Sequence, residues 1–87
     1  SAASDVYKSQ TQVGVWTSPA GSVLEVSPRP KRSFVHMLEG MLFLTDGATG
    51  ATSRCIPGDT VMLPAGWFGQ IHVVETAKQL WTTADVE

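Results

Sequence analysis

One cysteine, Cys55, is all the chain has. No internal disulfide can form, and no second thiol is present to build a cysteine-based metal site. A reducing compartment fits this usage, so a cytoplasmic location is expected. Long apolar runs are also missing. None approaches the roughly 18 residues needed to cross a bilayer as a helix, so a soluble protein with no membrane contact is expected. Charge is sparse, at 16% of residues with a net of −2, and such a chain has no general attraction for nucleic acid or anionic lipid. No window repeats apolar residues at helical spacing. Neither an internal repeat nor a linker divides the sequence. It starts without methionine or a secretory leader; the opening SAASD reads as a trimmed end, so a longer parent chain is possible.

What is present describes one small domain. Its 87 residues are 43% hydrophobic, the composition of a globular protein. A domain this short buries only roughly 60–65% of its unfolded surface, so help from a partner subunit is expected. Residues 1–10 are polar and aperiodic and read as a flexible N-terminal segment; residues 11–87 form the folded domain. The central stretch is Ser33–Thr45, SFVHMLEGMLFLT. Its two apolar runs, Phe34–Leu38 and Met41–Leu44, flank Glu39-Gly40, which predicts a tight hairpin turn. Phe34, His36 and Leu38 share one face and Val35 and Met37 the other. A strand apolar on both faces is buried twice or covered by a partner. Further strands are predicted over Thr11–Trp16, Ser22–Ser27, Ala51–Ile56, Thr60–Leu63, Gly69–Val74 and Lys78–Thr82, with SPRPKR (27–32) as a loop or edge. Turn signals recur about every 8–12 residues, which argues for an all-β sandwich or barrel.

The segment PGDTVMLPAG (57–66) following FVHMLEG (34–40) resembles the two-motif signature of the cupins. It is most similar to the small cupins that include ureidoglycine aminohydrolase and the ethanolamine-utilisation Q proteins. VGVWTSPAG (13–21) and VVETAKQLW (73–81) extend the resemblance over most of the chain. It implies a single-domain jelly-roll β-barrel (a double-stranded β-helix), commonly paired into a homodimer. The second motif also has a reading of its own. Pro57-Gly58-Asp59 turns the chain into a strand, with Asp59 placed to accept backbone N–H bonds, and Pro64 and Gly66 bend it out again.

Many cupins hold Mn, Fe, Ni or Zn through histidines and a glutamate, ligands suited to those ions. Counting from the motif glycines, the corresponding positions here are Ser27, Arg29, Ser33 and Gly69. None is a ligand type, so no metal and no cofactor is expected. His36 and His72 fall on the strand faces opposite Ser33 and Gly69 and read as packing or interface residues. Cys55 reads as a buried apolar residue rather than a nucleophile, and Lys78 as a surface lysine. Glu39 and Asp46 do not form an acid/base pair. Arg29, Lys31 and Arg32 are half of the six basic residues. They read either as a solvated loop or as an anion-binding rim. Trp67 and Phe68 either cap the core or meet a partner, with Trp67 alternatively walling a pocket.

The expected function is binding of a small polar or anionic metabolite inside a metal-free barrel. Ser33, Val35, Met37, Trp67 and Ile71 would line the site, with Arg29 and Arg32 at its mouth. Two alternatives stand beside it. One is a metabolic enzyme, as the relatives suggest: an isomerase, a lyase or an amide or ureide hydrolase. The other is the accessory half of a two-cupin protein. No residue pair is nominated as catalytic.

Overall fold

The computed structural model describes residues 11–84, and side chains over residues 13–83. The segment expected to be a flexible N-terminus therefore lies outside the described residues. Those described form six strands: β1 Thr11–Ser18, β2 Val23–Val26, β3 Arg32–Asp46, β4 Thr52–Cys55, β5 Thr60–Leu63 and β6 Gly69–Ala84. No helix among them is long and apolar enough to cross a membrane.

The predicted hairpin at Glu39-Gly40 does not form. Phe34–Leu38 and Met41–Leu44 belong to one continuous strand, β3, and both halves pair antiparallel with β6, from Arg32↔Ala84 to Asp46↔Gly69. The register slips between Met37 and Leu42. Gly40, at φ +82°, sits within this bulge. The positive φ that suggested a turn bends the strand instead. Likewise Gly69–Val74 and Lys78–Thr82 are two parts of the one strand β6.

The two long strands organise the rest. On one side of β6, β1 pairs with its second half and β2 with its first. On the far side of β3, β5 pairs with the first half and β4 with the second. Two four-strand layers result, β1-β6-β3-β5 and β2-β6-β3-β4, continuous through β3 and β6. Pairing with the same two long strands ties both layers together.

One face of this arrangement is buried. Val35, Met37, Leu42 and Leu44 of β3 pack with Cys55, Leu63, Ile71, Val73 and Ala77, and Trp67 and Trp81 lie against them. The bulge moves the buried face of β3 from odd positions (Ser33, Val35, Met37) to even ones (Leu42, Leu44). The motif turn anchors at that bend. Met37 N–H donates to the Asp59 carbonyl (2.9 Å), Gly58 N–H donates to the Met37 carbonyl (3.0 Å), and Asp59 Oδ2 accepts from Ile56 N–H (2.9 Å). Asp59 thus has the turn role read from its sequence.

Candidate ligand cleft

Odd positions of β6 continue the buried face toward the end of the chain: Ile71, Val73, Ala77 and Gln79 are buried, and Trp81 and Thr83 are half-buried. Directly paired residues share a face, so Trp16 and Gly14 of β1 stand beside Gln79 and Trp81, and Leu24 of β2 beside Ile71. Between these strands opens a cleft of about 660 Å³, lined among others by Trp16, Glu25, Arg29, Ile71, Gln79, Trp81 and Thr83. That volume lies within the range of small-molecule sites.

Gln79 dominates the chemistry of this cleft. It is 1% exposed, and its Oε1 finds no hydrogen-bond donor among the described residues. A buried acceptor without a donor costs about 1–3 kcal/mol. Two polar groups on the lining already have partners. Thr83 Oγ1 and Ser33 Oγ are 3.2 Å apart, and the Glu25 carboxylate accepts from Gln70 Nε2 at 2.9 Å. Arg29 lies in the 27–31 loop, whose Arg29 carbonyl accepts from Gly66 N–H (2.7 Å), holding the loop against the Pro64–Gly66 turn.

Of the residues nominated from sequence, Ile71 and Arg29 line this cleft. Ser33 and Trp67, again with Arg29, border a separate gap of about 10 Å³, room for no more than one water. Val35 and Met37 lie in the core, each 1% exposed, and border neither space. Arg32 is exposed at the start of β3, with the parity of Phe34, on the opposite face. The sequence reading missed Gln79, Trp81, Thr83 and Trp16. For the three on β6 the available signal was parity: odd positions from Ile71 to Thr83 keep one face, except Glu75 at the bulge. Splitting β6 into two strands concealed it.

The residues present do not fit a cupin-type metal. The family's histidine position falls on Gly69, where a Cβ would meet the Thr45 carbonyl oxygen and stand 2.7 Å from the Trp67 ring. An imidazole there would displace the indole. Ser33 is committed to Thr83. His36 Nδ1 is bonded to Thr60 Oγ1 (2.7 Å), and the exposed His72 lies in the other layer, opposite Phe43 and Val23. Among the described residues, no three His, Cys, Asp or Glu side chains gather.

The Cys55 thiol is buried, and burial, followed by the negative charge of Asp59, pushes its pKa up. This is the reverse of what activates a nucleophile.

No family model and no curated protein matches the sequence. Solved structures do match. A conserved Streptococcus pyogenes protein of unknown function is 24% identical with a TM-score of 0.78, covering 90% of this chain and 67% of its own. A cupin superfamily protein from Desulfitobacterium hafniense is 19% identical with a TM-score of 0.79, covering 88% and 69%. The EutQ protein of Clostridium difficile is 14% identical with a TM-score of 0.77, covering 88% of this chain and 58% of its own. The chain thus spans less than two thirds of the EutQ structure. At these identities the likeness speaks for architecture alone, and the chain has the fold of the small cupins.

Proposed function

We propose that this chain is a binding protein that holds a small polar or anionic metabolite in the cleft between β1, β2 and β6, without a metal ion. One observation carries the reading: a fully buried glutamine lines a ligand-sized cleft with its acceptor unmatched. A bound donor would relieve that cost. Arg29, also on the lining, supplies attraction for an anionic group. The only titratable side chains lining the cleft among the described residues are Glu25 and Arg29, which favours binding over the isomerase, lyase or hydrolase alternative. Thermal-shift titration with small carboxylates, phosphates and primary amides tests this reading, because a ligand that binds the folded state raises Tm. We expect members of this panel to stabilise the protein, with the effect of the N–H-bearing compounds lost in Gln79→Met and that of the anionic ones weakened in Arg29→Ala. If no compound raises Tm, or if every hit is indifferent to both substitutions, the cleft is not the site.

A second reading concerns assembly. The outward face of the β1-β6-β3-β5 layer carries two cross-strand rows, Val13-Thr82-Phe34-Met62 and Val15-Leu80-His36-Thr60, of which Val13, on the edge strand, also borders the cleft. Val13, Val15, Phe34 and Met62 are 66%, 54%, 38% and 48% exposed. The occupant we propose for this face is a second copy of the chain. A two-fold axis near His36 would lay the outward row of β3 (Phe34, His36, Leu38) against the same row of the second copy.

A further inference from the structure

The cleft also constrains the shape of what it would hold; this step rests on the binding reading above. A Cβ at Gly14 would stand 3.2 Å from Trp16 Nε1 and 3.5 and 3.6 Å from two further atoms of the same ring. The Trp16 indole therefore lies back along β1, over the residue paired directly with Trp81. Trp16 nevertheless remains 60% exposed. A large indole folded over a glycine, open to solvent, beside a second indole, is an aromatic platform on which no described residue stacks. Gln79 is paired in register with Trp16 and lines the same cleft as both indoles. A side-chain amide presents an acceptor and a donor side by side, and a second amide edge, N–H beside C=O, matches both.

We propose that the cleft takes a flat, lactam-type ring bearing an acidic group. The ring stacks on Trp16 and Trp81, its N–H donates to Gln79 Oε1, and its carboxylate or phosphate reaches Arg29. The stacked plane selects against puckered rings, and the buried amide selects against flat rings that lack an N–H. A site built to hydrogen-bond a ligand rejects the analogue without the donor, because its own polar group then stays unpaired.

Three probes separate these contributions: orotate (flat ring, N–H, carboxylate), uracil (no carboxylate) and benzoate (no N–H). The readout is the set of indole ¹H–¹⁵N signals of the three tryptophans, of which Trp16 and Trp81 line the cleft. Orotate should move the Trp16 and Trp81 signals and bind roughly ten-fold more tightly than benzoate and several-fold more tightly than uracil. In Gln79→Met the advantage over benzoate should vanish while benzoate binds as before. Benzoate matching orotate in the natural chain, or Gln79→Met leaving orotate binding unchanged, would overturn the inference while leaving the cleft as a binding site. Uracil matching orotate would remove the acidic group. If no probe moves Trp16 or Trp81 at millimolar concentration, the inference falls, while the cleft reading stands or falls with the wider thermal-shift panel.

Discussion

Two buried side chains show how differently a residue can be read from sequence and from structure. Cys55 was legible: a lone thiol before a Pro-Gly turn reads as packing, and it lies in the core at 1% exposure. Its raised pKa has a consequence for stability. Below the ordinary thiol value of 9.0, folded and unfolded chains both carry the proton. As pH climbs past 9.0 the unfolded thiol ionises first, the folded thiol holds on, and stability falls. Urea midpoints at pH 7 and pH 10 should therefore drop further for the natural chain than for Cys55→Ala; parallel losses would show that Cys55 contributes nothing to the alkaline limb. Gln79 was not legible. Nothing in KQLWT marks a glutamine as buried, since glutamine normally stands in water. Only the pairing of β6 with β3 and β1 encloses it.

At the scale of elements, most strands could be placed from turn chemistry, and Thr60–Leu63 is observed as predicted. The failure at Glu39-Gly40 is instructive. A glycine between two apolar runs signals positive φ, yet positive φ serves a hairpin and a bulge equally well. Which one forms depends on what lies alongside, and here β6 is long enough to pair with both runs. The close packing at that bend makes Gly40 irreplaceable. A Cβ there would run into the Thr76 carbonyl oxygen and the Ala77 Cα, on top of the strain of placing an L-residue at φ +82°. Gly40→Ala should cost about 2 kcal/mol or more in urea denaturation. A loss below about 0.5 kcal/mol, the level of a neutral surface change, would mean that β3 and β6 can separate at the bulge without penalty.

For the molecule as a whole, the two faces of the β1-β6-β3-β5 layer ask for different things. The buried face finishes the core and lines the cleft. The opposite face leaves Val13, Val15, Phe34, Leu38 and Met62 each at least 38% exposed, on a chain with little surface to spare for idle apolar area. The sequence carried this signal, because Phe34–Leu38 is apolar on both sides, but one chain alone could not show whether both sides were filled. The structure fills one. A second copy packed on the other would remove the exposed rows from water by pairing them with the same rows. Sedimentation at tens of micromolar should accordingly show a dimer. Phe34→Glu, which brings two carboxylates together near the two-fold axis, should yield a folded monomer whose cleft still accepts the probes that the natural chain binds. A natural chain that sediments as a monomer would refute the self-association reading, and the apolar rows would then have to be covered by a different protein.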